Sequence, residues 1–103
     1  MHPLIQQKRA DIAALCQRYD VRHLDVFGSA ARGDDFDPAT SDVDFVVEFD
    51  PKSLLPPLEE FFGFQADLSR LLERSVDLVE ERAVRNPYVL ANINRTRELV
   101  YAA

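Results

Sequence analysis

The sequence predicts an α/β fold, a small mixed β-sheet of three main strands backed by helices, with an acidic site on its open face. Two observations carry that prediction. Residues 43–49 alternate with the period of a strand, and residues 23–27 and 75–80 are two further short runs of this kind. Around them, residues 3–19, a stretch from about 58 to 73 and the segment after Pro87 place apolar side chains at helical spacing. A chain of 103 residues favours one domain over 1–103 and can bury roughly 60 to 70% of its unfolded surface. With 47% hydrophobic residues, a packed core is expected and disorder is not.

Residues 3–19 read as one amphipathic helix. Pro3 suits its first turn. Ile5, Ile12, Leu15, Cys16 and Tyr19 make the apolar side, and Lys8, Arg9, Asp11, Gln17 and Arg18 the polar one. His2 is expected to be disordered, and His23, at the start of the first strand, to be structural or exposed. In that strand Leu24 and Val26 alternate with Asp25 and Phe27. After the second strand Asp50-Pro51-Lys52 breaks the pattern, and Pro56-Pro57 leads into a helix whose apolar face holds Leu58, Phe61, Phe62, Leu68, Leu71 and Leu72. Gly63 weakens that helix by about 1 kcal/mol relative to Ala, so a bend or interruption is expected there. Residues 75–80 form the third strand, with Val76 and Leu78 on one face and Asp77 and Val79 on the other. Asn86 is a good N-cap and Pro87 a good first residue for the last helix, along which Leu90, Ile93, Arg97 and Val100 follow at helical spacing. Arg95 and Arg97 have two readings, solubilising exposure or contact with a phosphate or partner.

The chemistry concentrates in residues 26–49. Residues i and i+2 of a strand share a face, so Asp42 and Asp44 project side by side while Val43, Phe45, Val47 and Phe49 fill the other face. At about 4 Å and an effective dielectric of about 20, two such carboxylates repel by roughly 4 kcal/mol. Either a hard divalent cation binds between them, or both face water and are screened. The Gly28-Ser29 step favours the cation. Gly28 permits a tight turn, Ser29, Ala30 and Ala31 open a helical turn with free N–H groups, and Arg32 adds a guanidinium suited to phosphate oxygens. A phosphate cradle followed by a carboxylate pair suits a nucleoside triphosphate with magnesium.

Other classes are excluded or disfavoured. The net charge of −6 argues against a nucleic-acid-binding surface. No apolar stretch is long enough to span a membrane, and no signal-peptide pattern begins the chain. One cysteine, Cys16, rules out an internal disulfide and fits a reducing cytoplasm, with the thiol packed as a small hydrophobe. The acidic loop from Asp34 to Thr40 fails the EF-hand pattern, since Thr40 and Val46 stand where Gly and Glu are required. A solvated loop that covers or uncovers the site is expected there. The two histidines lack further ligands at zinc spacing.

G-S-A-A-R-G-D, then S-D-V-D-F-V-V-E-F, then V-D-L-V resembles the signature of the minimal nucleotidyltransferases (MNT) of the DNA polymerase β-like nucleotidyltransferase superfamily, over nearly the whole chain. That resemblance implies the polymerase β-like nucleotidyltransferase fold. It implies that Gly28 and Ser29 contact the nucleotide phosphates, that Asp42 and Asp44 bind two magnesium ions, and that Asp77 completes the triad. Alone, an Asp in V-D-L-V reads as a surface residue. Larger relatives carry a second helical domain that grips base and acceptor, and none is expected here. MNT proteins are commonly paired with helical HEPN proteins as antitoxin and toxin. The resemblance therefore implies an enzyme that transfers AMP from ATP to a tyrosine of a HEPN ribonuclease in a hetero-oligomer. The alternatives are a non-catalytic antitoxin that acts by contact, and nucleotidyl transfer to a small molecule such as an aminoglycoside.

Overall fold

The computed structural model describes residues 1–32 and 42–103, so the expected loop from Asp34 to Thr40 lies outside the described residues. In chain order the elements are α1 (Pro3–Gln7), α2 (Arg9–Arg18), β1 (Val21–Phe27), α3 (Ser29–Arg32), β2 (Val43–Phe49), α4 (Pro57–Leu72), β3 (Val76–Glu80), a 3-10 turn (Glu81–Ala83), α5 (Pro87–Thr96) and β4 (Glu98–Ala102). The strands form one mixed sheet in the order β3-β2-β1-β4. β1 runs antiparallel to both β2 and β4, and β2 runs parallel to β3. Parallel neighbours need a crossover, and α4 supplies it.

The alternation along β2 sorts its side chains as expected. Val43, Phe45, Val47 and Phe49 join Leu24 and Val26 of β1 in the main core, against Ile5, Ile12 and Cys16 of the N-terminal helices and Phe64, Leu68 and Leu72 of α4. Phe45 and Phe64 are fully buried, each worth roughly 1.5–3 kcal/mol of apolar burial. Burial pushes the Cys16 thiol up to about 12, in keeping with its role as a small hydrophobe. Asn86 caps α5 by accepting from the Tyr88 N–H at 2.9 Å, with Pro87 at its first position.

The structure corrects several expectations. The sheet has four main strands, because the segment read as the end of the last helix leaves it after Thr96 and becomes β4. Val100 is buried there. The run Glu98–Ala102 carries the β-favouring Val100 and Tyr101, and it satisfies the edge of β1 that three strands would leave unpaired. The N-terminal helix is two, broken at Lys8, with Ile5 and Ile12 both in the core. His2 is ordered: its Nδ1 accepts from the Leu4 N–H at 3.1 Å, and its own N–H donates to the Ala30 carbonyl at 2.8 Å. Helix α4 runs through Gly63 without a break. There a Cβ would sit 2.9 Å from the Tyr19 ring, so the glycine marks the close approach of α2 and α4.

The second face of the sheet is not fully open either. α5 lays Ile93 over Phe27 and Val46, with Val79 and Val84 at the margin. Among the described residues no helix is long and apolar enough to cross a membrane.

Candidate active site

β1 ends opposite Asp44, with Phe27 as its cross-strand partner. The parallel register of β2 and β3 pairs Asp44 with Asp77. Both side chains point away from the main core, because Val43, Phe45, Val76 and Leu78 occupy that side. Asp77 is exposed on the outer strand of the sheet, and Asp42 is exposed just ahead of β2.

Gly28 follows β1 directly and is left-handed, with φ of 71°. It lies so close to the carboxylates that a Cβ added to it would stand 2.8 Å from Asp44 Oδ2. Its carbonyl accepts from the N–H groups of Ala31 and Arg32 at 3.1 and 3.2 Å, which closes α3. Its own N–H donates to Thr96 Oγ1 at 2.9 Å. Ser29 is half-buried at the start of α3, and Arg32 is exposed at its end. A cleft of about 520 Å³ opens beside α3, between Ala31 and Arg32 on one wall and Asn92, Arg95, Thr96 and Glu98 on the other. The cleft of about 550 Å³ around Asp20, Asp50 and Lys52 lies at the opposite end of β1, away from the carboxylates.

Electrostatics follow from this placement. Partial burial is the main force pushing the Asp44 carboxyl from 3.8 up to about 6. The charge of Asp77, a hydrogen bond from protonated Asp44 to Asp77, and the charge of Asp42 push the same way. Among the described residues no lysine, arginine or histidine forms an ion pair with these three aspartates. Nor do three His, Cys, Asp or Glu side chains there converge closely enough to enclose a metal ion. Two adjacent carboxylates are nonetheless hard oxygen donors of the kind magnesium uses, since it takes one or two carboxylates and completes its shell with substrate phosphates. The residues present fit that ion.

The structure thus brings Gly28, Asp44 and Asp77 together, with Ser29 one residue beyond and Asp42 acting on Asp44 through its charge. Arg32 stands at the far end of α3. Sequence reasoning missed Thr96, whose contact with Gly28 spans 68 positions and has no local signal. It also left Arg97 between two readings, neither of which is the one found. Arg97 is largely buried, its Nε donating to Asp25 Oδ2 at 2.6 Å and its Nη2 to Glu81. His23 Nε2 meets the other oxygen of Asp25 at 2.7 Å, the structural role expected of it.

The mixed sheet, backed by helices, thus sets Asp44 and Asp77 on neighbouring strands beside a glycine turn. The chain belongs to the family described as polymerase beta, nucleotidyltransferase, which it matches over residues 10–103. It is 34% identical over 87 residues to a candidate protein adenylyltransferase of Methanocaldococcus jannaschii, across 84% of this chain and 82% of that one. A solved structure of a candidate minimal nucleotidyltransferase is similar over 95% of each chain, with a TM-score of 0.74 and 28% identity. The same fold occurs in the complex of tri-AMPylated Shewanella oneidensis HEPN toxin with MNT antitoxin, with a TM-score of 0.67 and 17% identity over 96% of this chain and 73% of that chain.

Proposed function

We propose that this chain transfers AMP from ATP to a hydroxyl, that of a tyrosine, on a helical HEPN ribonuclease toxin, and so acts as its antitoxin. The observation that carries the reading is the in-register pair Asp44–Asp77 against the Gly28 turn. The name of the M. jannaschii relative and the AMPylated toxin of the S. oneidensis complex support protein as the acceptor.

Asp42, Asp44 and Asp77 would hold two magnesium ions. Bound magnesium supplies charge neutralisation on the triphosphate and lowers the pKa of the acceptor hydroxyl. Gly28 and Ser29 receive the phosphates. Gly28 does so by close backbone approach, because its own N–H is engaged by Thr96. Ser29 contributes a hydroxyl at the start of α3, where the N–H groups of Ala31 and Arg32 are already taken by the Gly28 carbonyl. Arg32 adds positive charge near the triphosphate. The acceptor oxygen forms its bond to the α-phosphorus as the bond to the β-phosphate oxygen breaks, and pyrophosphate leaves. Asp77, exposed on the outer strand, takes the hydroxyl proton. Little covalent work falls to the protein, so positioning and electrostatics carry the rate.

The test is to incubate the chain with magnesium, labelled ATP and the product of the adjacent gene, and to measure the mass of that product. One or more added AMP groups are expected. Tight binding without a mass change would favour an antitoxin that acts by contact, and efficient transfer to a small molecule by the isolated chain would overturn the protein acceptor.

A further inference from the structure

We infer that Thr96, at the end of α5, is a positioning residue that sets the Gly28–Ser29 turn against Asp44 and so tunes nucleotide binding; the nucleotide part of this inference rests on the phosphate-cradle reading above. Gly28 N–H falls where β1 stops pairing, in a partly buried place where an unmatched donor is costly. Thr96 Oγ1 accepts it at 2.9 Å. The same hydroxyl donates to the Asn92 carbonyl at 3.3 Å, so its single proton is committed and a lone pair is turned to the glycine.

The end of α5 is well anchored for this task. Arg97, the next residue, donates from Nε to the buried Asp25 at 2.6 Å and from Nη1 to Asn94 at 3.0 Å, and it also reaches Glu81. Thr96 is therefore held from both sides, by its own helix and by a buried ion pair on β1. The turn it holds lies close to the carboxylates, since a Cβ built on Gly28 would stand 2.8 Å from Asp44 Oδ2. Rotating the Gly28 peptide would move the turn relative to the carboxylates and re-aim Ser29. The Thr96 hydroxyl fixes that rotation.

The variants are Thr96→Val, which keeps the shape and removes the hydroxyl, and Thr96→Ser, which keeps the hydroxyl. Two readouts are taken on the full chain: affinity for magnesium-ATP by titration, and hydrogen exchange of the Gly28 amide by NMR without nucleotide. Thr96→Val should weaken magnesium-ATP roughly 3- to 10-fold, the worth of one neutral hydrogen bond, and speed Gly28 exchange by a similar factor. Thr96→Ser should restore both. Unchanged affinity and exchange in Thr96→Val would overturn the inference, as would a Thr96→Ser variant no better than Thr96→Val, which would mark a packing role. If the wild-type chain binds no magnesium-ATP, the phosphate-cradle reading falls, and Gly28 exchange alone decides whether Thr96 holds the turn. If Thr96→Val does not fold, the wild-type amide decides: protection of Gly28 upholds the contact, and exchange at the rate of an open amide overturns it.

Discussion

At Gly28 two constraints meet in one residue. Its φ of 71° lies in the left-handed region, and its missing side chain leaves room for Asp44. Gly28→Ala should cost about 1–2 kcal/mol from the backbone alone and should also push the Asp44 carboxylate aside. Chemical denaturation should register the first effect, and loss of AMP transfer beyond what reduced stability explains should register the second. Asp44→Asn is expected to do the reverse for stability while abolishing transfer. Wild-type Asp44 is raised in the folded chain from 3.8 to about 6, so the unfolded chain releases this proton at lower pH than the folded one. Stability is therefore lost as pH climbs through that window, and the penalty is complete above it. Without divalent cations, the melting temperature of Asp44→Asn minus that of the wild type should grow between about pH 4 and 6 and then level off. A difference that stays flat through this range would show that the Asp44 carboxyl is not raised in the folded chain.

Helix α4 shows how an element can depend on a residue that its own propensity disfavours. In an isolated helix Gly63→Ala would gain about 1 kcal/mol. Here the added methyl would meet the Tyr19 ring at 2.9 Å. That ring is packed against Phe64, and its hydroxyl donates to Asp67, which is further held by Arg18 and Arg70. Tyr19 therefore cannot easily swing away, and overpacking of this kind costs about 1–3 kcal/mol. Gly63→Ala should be destabilising overall, by roughly 1 kcal/mol after the helical gain is set against it. Combining it with Tyr19→Ala should make the glycine replacement itself favourable, and thermal unfolding of the two single variants and the double variant checks both signs.

The whole molecule carries a charge of −6, and three of its carboxylates lie in the region of the site. A ribonuclease partner with a basic face would be steered toward such a surface. Its association rate should fall steeply as ionic strength rises from about 0.01 M to 0.15 M, where the screening length shrinks from roughly 30 Å to 8 Å. The dissociation rate should change much less, and stopped-flow mixing with the adjacent gene's product separates the two. An association rate indifferent to salt would mean that recognition does not use the acidic face.

Much of this was legible in the chain because strand and helix sidedness are local properties. The apolar partners Val43 and Phe45 and the cap at Asn86 depend only on near neighbours, and each is found as expected, whereas Asp42 stands just ahead of β2 rather than on it. The glycine turn and the carboxylate spacing by themselves point to a nucleotide site. Three features were not legible, for one shared reason. Residues 98–102 suit a strand or a helix about equally, and the free edge of β1 that settles the matter exists only once the sheet has assembled. Arg97 reaches Asp25 across 72 positions, and Thr96 reaches Gly28 across 68, distances over which spacing carries no information. The residue types and their faces were thus written in short-range pattern. The register that sets Asp44 beside Asp77, and the end of α5 that holds the glycine turn, came from long-range pairing, because a hydrogen bond between distant residues forms only after packing has brought them together.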